Sequence, residues 1–246
     1  MQHDSKPLDI RLKHWFISMG KEILYHIPYG ITAVFVSMIF IWLFSCKFSF
    51  STCCLAKGHS HINDSLFCML HYAHIFFAGI TSVLSFRRHY GNILGAVMVG
   101  LTVPPIFCTL SDVIFPYIGG LVMGVKMQLH LCALKNFWHF LPMIFLGVGV
   151  GLILSTRKIN GGISLIRFAC GSHFLHELVS ASASLVYLAS FGCINWWASP
   201  LSVFVLLTIS VIVPCTLSDV VVPIFCAWLS GKEPPQNSGC CCHRCD

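Results

Sequence analysis

Charge is scarce in this chain: of 246 residues only 10% are Asp, Glu, Lys or Arg, and the two acidic types together number nine. A soluble domain carries about a quarter of its residues as charges, so a water-facing globular surface is excluded. Apolar residues make up 56% instead, gathered in several runs of about 20 residues, the length that crosses a bilayer as a helix. The fifteen basic residues are thin and scattered among the loops, so the formal charge of +6 is no sign of nucleic-acid binding. No secretory leader is expected either. Residues 1–22 are polar or amphipathic, without a short apolar core and small-residue cleavage site, so the first span is expected to remain in the mature chain. Several of the fourteen cysteines fall in spans or in the C-terminal tail, which argues against a secreted disulfide framework.

What is present reads as one membrane domain. Leu8, Leu12, Trp15, Phe16, Met19 and Ile23 recur at helical spacing with Arg11, Lys13 and Lys21 between them, which predicts an amphipathic helix in the cytoplasmic interface over residues 1–24. Spans are expected over about 28–46, 66–86, 92–120, 137–155, 163–190 and 201–229. They group as a first three-span repeat (25–120), a connector (121–136), a second three-span repeat (137–230) and a Cys-rich cytoplasmic tail (231–246). With the N-terminus inside, Lys6, Arg11, Lys13, Lys21, Arg87, Arg88, Arg157, Lys158, Lys232 and Arg244 are cytoplasmic. Only Lys47, Lys57, Lys126 and Lys135 then lie outside, with Arg167 near the start of the fifth span. That bias predicts six spans with both termini cytoplasmic, in a plasma or bacterial inner membrane.

The repeat assignment rests on two internal matches. Cys108-Thr-Leu-Ser-Asp-Val-Ile-Phe-Pro116 returns as Cys215-Thr-Leu-Ser-Asp-Val-Val-Val-Pro223, identical at seven of nine positions. Cys68-x-x-His71-x-x-His74 in the second span returns as Cys170-x-x-His173-x-x-His176 in the fifth, 102 residues later. A looser pairing sets His26, just before Pro28, against His139, just before Pro142. Three spans are an odd number, so the two repeats enter the membrane with opposite orientation. The expected fold is therefore all-α and integral to the membrane: six transmembrane helices as two inverted three-helix repeats, with helices 3 and 6 broken by their prolines.

Both matches place chemistry where lipid would be. A carboxylate in a span costs about 2.5–3.5 kcal/mol on insertion scales and is functional by default, so Cys108, Ser111, Asp112, Cys215, Ser218 and Asp219 are assigned to a substrate or ion path. Residues three apart lie on neighbouring positions of a helix face. Cys68, His71 and His74, and likewise Cys170, His173 and His176, form ladders, the second extended by Glu177 where the first half has Ile75. Thiol, imidazole and carboxylate together suit zinc or another transition metal and suit magnesium or calcium poorly. A lone membrane cysteine is usually a small apolar residue and a lone histidine a hydrogen-bond partner between helices; the coincidence of two copies favours ligands. These ligands bind deprotonated, so proton antiport is the natural coupling. His59-Ser60-His61 and Cys240-Cys241-Cys242-His243-Arg244-Cys245 are candidate metal capture points. The tail lacks the paired Cys-x-x-Cys units of a zinc finger, and its cysteines suit S-acylation equally.

The stretch Gly100-Leu101-Thr102-Val103-Pro104-Pro105-Ile106-Phe107-Cys108, with Pro116 and Gly119-Gly120 after it, resembles the proline-cysteine core of multi-pass permeases of the heavy-metal and organoarsenical exporter type. Pro214-Cys215, Pro223 and Gly231 resemble it again, although the permease core is Cys-x-Cys-Gly and this chain has Cys-Thr-Leu-Ser-Asp. The resemblance implies efflux with Cys108 and Cys215 near the substrate. The expected activity is secondary transport, with export as its direction, of a transition-metal or similar soft cation, and not enzymatic turnover. Its partners are the bilayer and the ion, with homo-oligomers left open. Two alternatives stand beside it. Proline-cysteine pairs in inverted three-span halves also resemble membrane thiol-redox conduits of the CcdA type, which would make Cys108 and Cys215 a reversible disulfide. Histidines on facing helices would also serve a haem-binding protein.

Overall fold

The computed structural model describes residues 8–48, 61–89, 92–132, 137–156, 162–192 and 199–229. These residues are helical nearly throughout, with no strand among them, and six helices are long and apolar enough to cross a membrane. In chain order they are α1 (Leu8–Phe48), α2 (His61–His89), α3 (Ile93–Thr109) continuing into α4 (Phe115–Val122), α5 (Phe137–Thr156), α6 (Gly162–Phe191), and α7 (Pro200–Thr216) continuing into α8 (Val222–Leu229). The chain is thus a multi-pass, all-α membrane protein.

Helix α1 departs from expectation. The amphipathic segment is not a separate interfacial helix: it runs without a break into the first span as one helix of 41 residues, about 60 Å long at 1.5 Å per residue.

The predicted breaks in the third and sixth spans are also milder than prolines usually impose. A five-residue π-helical turn joins α3 to α4 (Leu110–Ile114), and another joins α7 to α8 (Leu217–Val221). The cause is local. Pro116 and Pro223 have no N–H, and their rings would press on the carbonyls four residues earlier, those of Asp112 and Asp219. Widening the turn relieves that clash, so Phe115 N–H reaches back to the Leu110 carbonyl and Val222 N–H to the Leu217 carbonyl. Both aspartates therefore sit on π turns, a distortion found often at functional sites.

Helices α2 and α6 form the centre. Of their membrane windows 67% and 72% are buried, against 22–44% for the other spans. Helix α2 packs on α5, α3 and α6, while α6 packs on α1 and α7. Glycine allows the closest crossing: a side chain on Gly147 of α5 would strike the Phe76 carbonyl of α2, and Gly79 faces the Gly147 backbone from the other side. Outward, Phe35, Phe40, Leu94, Trp138, Leu146 and Leu201 are exposed, a belt suited to acyl chains.

After α4 the chain turns at Gly124, whose φ of 77° favours glycine, and lies over one end of the bundle. There Gln128 N–H bonds to the Phe191 carbonyl at 2.8 Å and the Tyr187 hydroxyl to the Gln128 carbonyl at 3.0 Å. This fixes His130, stacked on Phe191 at 4.5 Å, and Cys132.

Candidate metal centre

Asp112 is fully buried on the first π turn. Its Oδ2 accepts from His71 Nδ1 at 2.9 Å and His74 Nδ1 at 2.8 Å, and its Oδ1 accepts from Ser180 Oγ at 3.0 Å. Asp219, on the second π turn, accepts from His176 Nδ1 at 2.7 Å and faces His173 Nδ1 at 3.4 Å. A carboxylate only accepts, so His74 and His176 each carry a proton on Nδ1 and turn Nε2 the other way. Those two Nε2 atoms meet 2.7 Å apart. In their neutral forms they would set lone pair against lone pair, an arrangement that a shared proton or a cation resolves.

A thiol closes the cluster. Cys215 Sγ lies 3.7 Å from His74 Nε2 and 3.7 Å from Ser180 Oγ. Cys108 and Cys215 are both free and buried. His74, His176 and the Cys215 thiol lie with ligand atoms within 4.8 Å of one another, donors of the kind zinc takes. A tetrahedral ion with bonds of about 2.0–2.1 Å to nitrogen and 2.3 Å to sulfur wants N···S near ~3.6 Å, as found here, and N···N near ~3.3 Å. The imidazoles would therefore part by a few tenths of an ångström around an ion. Each ligand histidine is already held through its other nitrogen by a carboxylate, the outer-shell arrangement of metal sites.

The π turns are secured across the bundle. Ser82 of α2 donates to the Ser218 carbonyl at 3.2 Å, and Ser184 of α6 donates to the Ser111 carbonyl at 3.1 Å. Ser82 and Ser184 are again 102 residues apart. Ser111 bonds to Ser180 at 2.7 Å, and the Ser218 and Ser82 hydroxyls lie 3.4 Å apart. Sequence reasoning missed Ser82, Ser180 and Ser184, although each lies four or eight residues beyond a ladder histidine, on its helix face.

Of the ladder residues, His74 and His176 reach the centre, while His71 and His173 stand behind it on the aspartates. Cys68 does not join them: it forms a disulfide with Cys132, with Cα atoms 5.9 Å apart, beside His130. Glu177 is buried, and neither of its oxygens has a hydrogen-bond partner among the described residues. The side chains of Cys170 and His61, residues 59–60 and the cysteine tail lie outside the described residues, His61 opening α2 by its backbone. Among the described residues, three groups of side chains are placed so that they could hold a metal ion: His74, His176 and Cys215; His26, His173 and Asp219; and Cys68, His130 and Cys132. In the third the disulfide and thiolate ligation exclude each other. No protein-family model, no curated protein and no solved structure matches this chain.

Proposed function

We propose that the protein is a secondary transporter that exports a transition-metal or similar soft cation in exchange for protons. Its two halves act as inverted three-helix repeats in a plasma or bacterial inner membrane, with both termini cytoplasmic. The observation that carries this reading is the meeting of His74 and His176 at 2.7 Å, each backed by an aspartate on a π turn. Supporting it, the elements carrying the aspartates match in length: helices of 17 residues, π turns of five and helices of eight. Transporter sites lie where distorted helices of two such halves face each other near the midplane. The Cys68–Cys132 disulfide suits the same orientation, which sets both residues toward the oxidising side.

Export would proceed by the halves tilting about this centre, with the ion held by His74, His176, Cys108 and Cys215. The thiols and imidazoles take up protons as the ion leaves, which balances charge in a dry site. The test is zinc flux in vesicles reconstituted with purified protein, comparing wild type with Asp112→Asn and Asp219→Asn. Flux lost from folded variants supports transport, and undiminished flux in both refutes a role for the carboxylates.

The thiol-redox alternative keeps one specific support: Cys108 and Cys215 interact with the same imidazole, that of His176. Under it, oxidation would join the two sulfurs and metal would be irrelevant. Haem ligation fits less well, because axial histidines stand on opposite faces of a macrocycle, ~4 Å apart at their nitrogens, and His74 and His176 lie closer than that.

A further inference from the structure

The two aspartates are built alike but used differently. Both oxygens of Asp112 are engaged, Oδ2 by the two histidines and Oδ1 by Ser180. Asp219 Oδ1 has no hydrogen-bond partner among the described residues, although Asp219 is only 2% exposed. The reason is a single departure from the repeat: the position 102 residues before Ser180 is Ala78, which has no hydroxyl to give. A carboxylate oxygen stripped of water and left without a donor is costly.

Two imidazoles stand beside this carboxylate. His26 of α1 and His173 of α6 stand edge to face with ring centres 4.8 Å apart. One ligand atom from each, together with a carboxylate oxygen of Asp219, falls within 4.8 Å. One helical turn further on, Glu177 follows His173 on α6, and its carboxyl packs against Gly30, one turn beyond His26 on α1. The first half has no counterpart: His71 is bound to Asp112, Ile75 replaces Glu177, and His139 is exposed.

We propose that His26, His173 and Asp219 form a second cation site, distinct in chemistry from the central one, with Glu177 as an anionic neighbour. Two imidazoles and a carboxylate with no sulfur suit a divalent first-row metal such as iron(II), cobalt(II) or zinc. Asp219 joins the sites: its Oδ2 bonds His176 Nδ1 at 2.7 Å and faces His173 Nδ1 at 3.4 Å, while Oδ1 has no hydrogen-bond partner among the described residues. His173 is 25% exposed, whereas His74 and His176 of the central site are 0% exposed. The second site is a staging position for the ion on one side only, and as such it rests on the transport reading.

The probe is cobalt(II) titrated into the purified full-length protein carrying Cys240→Ser, Cys241→Ser, Cys242→Ser and Cys245→Ser, which removes the tail thiols, because thiolate ligation gives a sulfur-to-cobalt charge-transfer band that nitrogen and oxygen ligands do not. This protein, the wild type for the comparison, is expected to bind two equivalents, one with the band and one without. His26→Ala should keep the band and weaken the other equivalent by roughly tenfold or more. Ala78→Ser, which supplies the missing donor to Asp219, should weaken the same equivalent and leave the band intact, so the test does not hang on one variant folding. A single equivalent with the band, or two undiminished equivalents in both variants, overturns the second site while the central reading stands. A band-free equivalent lost in His26→Ala, with no thiolate band in wild type, overturns the central site and keeps this one.

Discussion

Ser82 in α2 donates its hydroxyl to the backbone carbonyl of Ser218, 3.2 Å away on the opposite π turn. The bond matters because a π turn disturbs the helical ladder in a place with no water to make up the loss. Ser82→Ala and Ser184→Ala would each leave a buried carbonyl unsatisfied and lower stability by about 1–3 kcal/mol. Thermal unfolding in detergent checks this, and a neutral result for both would show that the π turns hold themselves.

Removing a ligand and removing its support should differ in degree. His74→Ala or His176→Ala deletes a central donor and should abolish tight zinc binding at that site. Asp112→Asn retains the ligands and an oxygen that can still accept from His71 and His74, but it removes the negative charge behind them and turns an NH2 donor on Ser180 where Oδ1 had accepted, so affinity should fall about 10–100-fold. Competition against a chelator of known affinity separates the two cases.

Metal binding should acidify a weakly buffered solution, since two thiols must shed protons to act as ligands. The sign follows directly: lower pH keeps thiols and imidazoles protonated and weakens binding, and higher pH strengthens it. Proton release measured during zinc titration should fall in a Cys108→Ser, Cys215→Ser double variant by the share the thiols supply, leaving that of the proton between His74 and His176.

Cys68 and Cys132 should resist alkylation until a reductant is added, while Cys108 and Cys215 react only when the protein is unfolded. Peptide mass spectrometry after differential labelling reads both. A linked Cys68–Cys132 peptide is expected, and free Cys68 in the untreated protein would contradict the pairing.

Gly147→Ala should cost about 1–3 kcal/mol by overpacking, because its methyl group would strike the Phe76 carbonyl. Gly149→Ala, on the same helix with nothing within 4 Å, is the matched control and should be neutral or mildly stabilising.

Much of this centre was legible from repetition. His74, His176, Asp112 and Asp219 stand out because each occurs twice in apolar surroundings, and all four meet. The grouping of ligands was not legible. Steps of three residues fall short of a full turn, so Cys68 and His74 diverge by about 120° and are separated by about 9 Å along the axis; they cannot grip one ion. Periodicity names a face but not the helix opposite it, which is why the approach of Cys215 to His74, 3.7 Å apart, was not legible. Cys132 comes from the connector, which has no second copy to mark it. The π turns were written in the sequence as an aspartate four residues before a proline in both halves. Reading those prolines as simple breakers overlooked that a helix can widen instead.

The central ligands have almost no contact with solvent: His74 and His176 are 0% exposed, Cys108 1% and Cys215 2%. Under the proposed transport, an ion seated among them would leave only as α2, α6 and the two π turns part, so its rate of exchange would be set by the bundle and not by the coordination chemistry.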